Sequence, residues 1–405
     1  MKTFSSLRNP VFRLYYGAIL AQRANQNMQL VTRTYLIYHL TGSATLLGAI
    51  SLAFALPMFL TCLVGGVIAD RVQKKKIIIA SQASSAVIAL IIALSLTQGY
   101  LSPERTNSWW ILMAASVLTG VVSGLEMPSR QAIVREIVGE QKLMNAIALD
   151  NMAMNILRLI APAVAGFLID AYDFHVVYYT ITAMSVISII LVAFMPLTGK
   201  VTKSGRNILA NIKDGIQYIG RNKSILFILV FVLIAMLLSR PVLALMPIFV
   251  DKDHLNVGAT GMGILLSGAG AGAIIGSIIL ASLPSKKRGL LLLVGSLVVG
   301  MALISFSFSS SLYLALAFMV IFGLGHTIRE TLGNTLIQSH VDNEYRGRVM
   351  SVYEMEFAFT SLGIFAAGLL AEVADVQLVL SSFAMVLLLI TISVIAFVPR
   401  IRRLD

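Results

Sequence analysis

Ten charged side chains lie within or at the ends of long apolar runs: Arg23, Arg33, Glu126, Asp150, Arg158, Arg240, Arg329, Glu330, Glu354 and Glu356. Charge among apolar residues suits proton binding, ion pairing or recognition of a polar solute, and each such group needs a reason to be there. Spacing sorts them. Gln22, Gln26, Gln29 and Arg33 recur at i, i+4, i+7 and i+11, one stripe of a helix, with Arg23 and Asn27 on its flank. Asn151, Asn155 and Arg158 form a second stripe at i, i+4 and i+7. Arg240 precedes Pro241, and a proline there breaks the helical ladder and frees carbonyls, as a gate or as a simple kink. Glu354 is the candidate for an acid that titrates at work, with a structural ion pair as the other reading. Glu356 sits about 200° further round the same helix, so the two acids cannot share a cavity, and Glu356 reads as a buried partner for Arg329.

These side chains need membrane-spanning elements to position them. The chain has 405 residues, 58% hydrophobic and 12% charged, against about 25% charged in soluble domains, and its mean hydropathy is +0.87. A span takes about 20 apolar residues. Apolar runs of that length fall near residues 12–40, 46–69, 77–98, 109–134, 143–170 and 174–196, and near 224–250, 258–283, 289–308, 312–338, 346–374 and 376–398. The fold class predicted is an all-α membrane protein of twelve spans. It divides into a six-helix half at 1–197, a cytoplasmic linker at 198–223 and a second six-helix half at 224–405.

With the N-terminus inside, 24 Lys and Arg fall in cytoplasmic segments and 2, Arg105 and Lys252, outside. That asymmetry places both termini in the cytoplasm and supports an even helix count. The net charge of +12 is thereby a mark of orientation, so no nucleic-acid partner is expected. Cys62 is the single cysteine and the five histidines are scattered, so neither a disulfide nor a metal site nor any cofactor is expected. The first apolar run lacks a small-residue cleavage site and is expected to stay in the mature protein. In the linker, Ile208, Ile212, Ile216 and Ile219 recur at helical spacing, which suits a helix on the inner membrane surface that tethers the halves.

The halves read as repeats. A shift of 203 residues aligns 141–152 with 344–355, and one gap later Gly166 and Asp170 align with Gly368 and Glu372. The same shift puts Glu354 opposite Asn151. Charges fall in spans one, four and five of one half and in the corresponding seven, ten and eleven of the other, which outlines a wet cavity enclosed by those six helices. Gly268, Gly272 and Gly276 stand four apart in the eighth span with no strand before them, so they read as a packing face, not a phosphate loop. Glu126 lies about 25 Å along its span, near the cytoplasmic end, where Arg71 or Arg130 can pair with it. Tyr172-Asp173 with Gly323-Leu324-Gly325 resembles the motif pair of intramembrane aspartyl proteases, but His326 stands where the second Asp is required, so no enzyme is expected.

The chain resembles the major facilitator superfamily along essentially its whole length. The segment Gly66-Val-Ile-Ala-Asp70-Arg71-Val-Gln73-Lys74-Lys75 is similar to the family's Gly-x-x-x-Asp-Arg-x-Gly-Arg-Lys loop, with Gln73 in place of the second Gly. The resemblance implies a conformational latch: Gly66 permits close helix approach, Asp70 caps a helix of the other half in the outward-open state, and Arg71, Lys74, Lys75 and Glu126 complete the group. The second copy, near Ser282 to Arg288, keeps its basic residues but lacks the Asp. Phe12-Arg13-Leu14, Leu40-Thr41-Gly42-Ser43, Pro128-Ser129-Arg130-Gln131 and Arg346-Gly347-Arg348-Val349-Met350-Ser351 are similar to segments of bacterial exporters that include the enterobactin exporter and macrolide efflux proteins. The antiporter motif Gly-Pro-x-x-Gly-Gly is present in part, as Ala161-Pro162-Ala163-Val164-Ala165-Gly166. What the resemblance implies is a monomeric secondary transporter in the bacterial cytoplasmic membrane, exporting a small amphipathic compound against protons. Its partners would be that compound, protons and the lipid bilayer. An importer of a small solute and a non-transporting sensor or assembly factor are the alternatives.

Overall fold

Proline, glycine and capping side chains set the helix boundaries. Asn9 accepts hydrogen bonds from the Val11 and Phe12 N–H groups and Pro10 opens the first long helix, which Gly42 closes at φ 63°, a conformation that costs glycine no side-chain clash. Asn222, Ser311 and Asp375 cap later helices in the same way. The structure is a computed structural model that describes residues 5–105, 107–196, 208–251, 254–283, 286–353, 355–402 and 404. Its α-helices are α1 (Pro10–Thr41), α2 (Ala44–Arg71), α3 (Lys74–Thr97), α4 (Trp110–Tyr172), α5 (Phe174–Ala193), α6 (Ile208–Arg221), α7 (Lys223–Ser239) and α8 (Pro241–Val250), followed by α9 (Gly258–Ser282), α10 (Arg288–Ser307), α11 (Leu312–His340), α12 (Arg346–Tyr353), α13 (Glu356–Val373), α14 (Val376–Phe397) and the short α15 (Pro399–Arg402). No strand occurs among the described residues.

Ten helical stretches among the described residues are long and apolar enough to cross a membrane. The expected fourth and fifth spans are joined: α4 runs for 63 residues and leaves helical geometry at Gly139, φ 69°. The apolar pattern stops where the side chains leave lipid, whereas Arg135, Glu136, Glu140, Gln141 and Lys142 are good helix formers that keep the backbone coiled in water. Arg135 pairs there with Glu140, and Lys74 meets Glu136 at 2.7 Å. The expected seventh span is divided at Arg240 into α7 and α8. Pro241 has no N–H for the Leu237 carbonyl, and Gly363 packs against that oxygen, its missing Cβ position lying 2.5 Å away.

By contact the chain falls into two compact units, one of Met1–Gly42, Ala53–Gly205 and Gly258–Gly263, the other of Ser43–Leu52, Arg206–Val257 and Ile264–Asp405. The first unit packs α1 and α3 against α4 and α5 around Phe12, Tyr15, Ile78, Ile133, Leu149 and Val192. The second packs α10 against α11 and α14 around Val232, Leu292, Leu336, Ile337 and Tyr353. In it the linker helix α6 docks on α12: Tyr218 stacks on Tyr345 with centroids 4.4 Å apart, Asp214 meets Arg348 at 3.4 Å, and Ile219 is buried. Ile216 keeps an apolar side chain outside that contact; the side chains of Ile208 and Ile212 lie outside the described residues.

The glycine stripe of α9 is a packing face. A Cβ on Gly272 would lie 1.9 Å from the Val320 carbonyl and one on Gly276 would lie 2.8 Å from that of Leu324, while Gly323 of α11 meets the Ala269 carbonyl at 2.0 Å in return. A Gly272→Val variant is therefore expected to lose about 3 kcal/mol or more and to melt earlier in detergent. Gly220→Ala, where nothing lies within 4 Å, should melt as the parent does.

Candidate functional site

In the first unit Glu126, 5% exposed, is the centre of a polar knot. Its Oε1 accepts from Gln22 Nε2 and Gln82 Nε2, each at 3.0 Å, and lies 3.6 Å from Arg130 Nε. Tyr15 donates to the Arg130 carbonyl at 3.2 Å. Three helices are pinned at one carboxylate, α1 through Gln22, α3 through Gln82 and α4 through Glu126 and Arg130. Of the two expected partners of Glu126, Arg130 is the one the structure brings to it.

At the next residue of α1, Arg23 forks onto Asp150 of α4 at 3.0 and 3.4 Å and donates to Gln26 at 3.3 Å. Asn27 donates to the Arg23 carbonyl, and buried Asn25 donates to Ser185 at 2.8 Å. The stripe thus splits by depth: Gln22 is tied into the bundle, Gln26 is exposed, and Gln29 and Arg33 line a small cavity with Ser116, Thr119 and Tyr178. Arg33 lies over the Phe54 ring at 4.8 Å, and among the described residues no carboxylate comes within ion-pair range of it. Asn151 is exposed, and Asn155 and Arg158 are half-buried along α4.

In the second unit Arg240 meets Glu330 Oε1 at 3.4 Å, and His326, one turn before Glu330 on α11, meets Oε2 at 3.3 Å. Arg329 is fully buried and donates to the Ala235 carbonyl at 3.2 Å and to Ser239 at 2.9 Å. Glu356, half-buried, lies within electrostatic reach of Arg329. Glu354 lies outside the described residues. Sequence reading passed over His326 and Glu330 as site residues, though their i, i+4 spacing is visible; it also missed Gln82, an isolated amide in the third span.

Of the latch group, Lys74 holds Glu136 and the Lys75 amine donates to the Ala193 carbonyl at 2.8 Å. Arg71 ends α2 exposed, and the Asp70 side chain lies outside the described residues. Among the described residues the close approach falls at Gly65: a Cβ there would meet the Gly124 carbonyl at 2.8 Å, whereas nothing described lies within 4 Å of Gly66.

Two carboxylates cap helices elsewhere. Asp170 accepts from the Ala259 and Thr260 N–H groups at 3.3 and 2.7 Å at the start of α9. Glu372 accepts from the Thr45 N–H at 2.8 Å and the Ser43 hydroxyl at 3.0 Å at the start of α2. Each is preceded one turn earlier by a glycine against the capped helix, Gly166 at 2.2 Å from the Ala259 carbonyl and Gly368 at 2.5 Å from that of Ala44.

Removing one partner of a buried charged knot leaves the others unpaired at a cost of about 3–5 kcal/mol. Glu126→Ala is therefore expected to lower the melting temperature in detergent clearly, and Glu126→Gln, which keeps one acceptor, to lower it less.

The whole chain, residues 1–405, matches the family model described as "Transmembrane secretion effector". The macrolide efflux protein A of Streptococcus pyogenes is 23% identical over 360 residues, which are 87% of this chain and 86% of that protein. The enterobactin exporter of Shigella flexneri is 23% identical over 299 residues, 73% of this chain and 69% of that one. A crystal structure of a POT family transporter in complex with 5-aminolevulinic acid superposes with a TM-score of 0.77 at 14% identity, covering 96% of each chain. This likeness shows the fold. The chain belongs to the transmembrane secretion effector family, transporters of the major facilitator superfamily that pass repeatedly through the bacterial cytoplasmic membrane.

Proposed function

We propose that this chain is a proton-coupled exporter of a small amphipathic compound, working as a monomer by alternating access between two six-span halves, 1–197 and 224–405, joined by the linker 198–223. The ten apolar stretches make twelve crossings when α4 is counted on both sides of Gly139 and polar α1 is added. The distribution of Lys and Arg supports cytoplasmic termini. The observation that carries the reading is the run of polar groups along α1 and α4, from the Arg23 and Asp150 fork to Arg33, in helices that a lipid-facing role would leave apolar. Gln22, Arg23, Gln26, Asn27, Gln29, Arg33, Asn151, Asn155, Arg158, Arg240 and Glu354 are the residues proposed to line the path. Export, as opposed to import, rests on what the similar proteins are called.

With cytoplasmic termini, the caps made by Asp170 and Glu372 face outside and serve as the outer latch, while Asp70, Gly66, Arg71, Lys74 and Lys75 serve the inner one. Purified protein in proteoliposomes, assayed with erythromycin and with ethidium, is expected to move at least one of them in response to an imposed pH gradient. Transport indifferent to any ion gradient would sink the coupling. In the same assay Asp70→Asn should slow turnover more than it weakens binding.

A helix cap is worth about 1 kcal/mol, so an Asp170→Ala, Glu372→Ala double variant should shift the balance toward an outward-open state about tenfold or more. A cysteine at position 29 in a Cys62→Ser background should then react faster with an impermeant maleimide added outside. An unchanged rate counts against the latch.

A further inference from the structure

We propose that Arg33, Tyr178 and Gln29 form an anion subsite in the first unit, and that it takes the carboxylate of an amphipathic transported compound. The inference rests on the transporter reading above and names a substrate class at the Arg33 end of the proposed path. The cations within the spans differ in what answers their charge. Arg23, Arg130 and Arg240 each meet a carboxylate, Arg329 donates to a carbonyl and a hydroxyl, and Arg158 is engaged as well. Arg33 makes neither a hydrogen bond nor an ion pair among the described residues. Its Nε is buried without a partner there, and the Phe54 ring at 4.8 Å is a weak substitute for a counter-ion.

A second unanswered donor lies at the same cavity. Tyr178 of α5 is 1% exposed, and its hydroxyl has no hydrogen-bond partner among the described residues. It lies within electrostatic reach of Arg33 and lines with it a small cavity between α1, α3, α4 and α5. A buried phenol normally places its O–H on an acceptor within the fold, so two unmade donors on one cavity mark a place for an acceptor that the chain does not supply. Gln29, one turn earlier on α1, brings a further donor to it. The hydroxyls of Ser116 and Thr119 give their protons to the Leu112 and Ala115 carbonyls at 2.8 and 2.7 Å, and no carboxylate stands among the described lining residues. The space is positive and rich in donors, which favours an anion over a neutral or cationic group.

Size and walls narrow the class. The cavity holds about one water-sized group, enough for a head-group oxygen but not for a whole drug-sized molecule, and Ile92 and Leu112 add apolar surface beside it. Arg33 and Gln29 are half-buried, so a ligand can approach from their side. A guanidinium fork matches a carboxylate in two parallel bonds. A free inorganic anion such as chloride shares the charge but has no apolar body to place on those walls.

Melting of the purified full chain in detergent reads the subsite without transport. Arg33→Met gives up no hydrogen bond or ion pair and is expected to melt at or above the parent temperature, whereas removal of a structural arginine lowers it. Naphthylacetate should raise the melting temperature of the parent, and naphthylacetamide, the same body without the charge, should not. The concentration needed should rise about thirtyfold or more in Arg33→Met and about tenfold in Tyr178→Phe. A parent unprotected by naphthylacetate, protection by the amide as well, protection unweakened in Arg33→Met, or a clearly lower melting temperature in that variant overturns the subsite. Should Arg33→Met yield no protein, Tyr178→Phe decides alone. Exchange of chloride for isethionate at constant ionic strength tests the other source: a parent melting temperature that follows chloride, with that dependence lost in Arg33→Met, assigns the cavity to a free inorganic ion and overturns the substrate class. Ethidium flux in proteoliposomes tests the transport reading apart from this. A parent that transports but is unprotected by naphthylacetate refutes only the subsite, and a protected parent that transports nothing refutes only the transport reading.

Discussion

A charge inside a hydrocarbon layer must find its partner within the protein, and most of this interior is arranged around that requirement. Isolated, each buried ion would cost several kcal/mol; gathered, they hold the helices in register. Glu126 draws together α1, α3 and α4, and Arg23 with Asp150 ties α1 to α4 a second time. In the second unit fully buried Arg329 joins α11 to α7 through a carbonyl and a hydroxyl, with no carboxylate in direct contact among the described residues. Two neutral oxygens satisfy part of a guanidinium, and Glu330, with Glu356 behind it, supplies the opposite charge at longer range.

The two units meet this requirement with different residues. Carboxylate Glu126 sits among amides in one unit, and cation Arg329 among a carbonyl and a hydroxyl in the other. The caps of Asp170 and Glu372 share their chemistry, a carboxylate accepting from free donors at a helix start, two N–H groups for Asp170 and one N–H with the Ser43 hydroxyl for Glu372.

The positions of the long helices were legible because lipid contact requires apolar runs, and the boundaries are right to a few residues wherever glycine, proline or a capping side chain stands. The junction of α4 was not legible, since a helix continuing into water no longer has the apolar pattern that marks it. Gly65 and Gly66 are adjacent letters, and which of them touches Gly124 depends on the rotation of α2 about its axis, a quantity that a nearly uniform apolar helix does not encode. The Arg23 and Asp150 pair could have been guessed from two charges in facing spans. The shared use of Glu126 by two glutamines could not, because it needs three helices placed at once.

The contacts also differ in how easily they can be undone. Gly272 and Gly323 bring backbones of α9 and α11 together so closely that parting them would open a void along a full helix face, with loss of dispersion contacts on both sides. Asp170 and Glu372 lie at exposed edges, where water can take over both the carboxylate and the freed N–H groups. A cap in water is worth about 1 kcal/mol, comparable to the energy by which two working states of a carrier can differ while both stay populated. Dry glycine packing and wet carboxylate caps meet at the starts of α9 and α2: Gly166 and Gly368 set how closely the capped helix approaches, and the acid one turn later sets how firmly it is held.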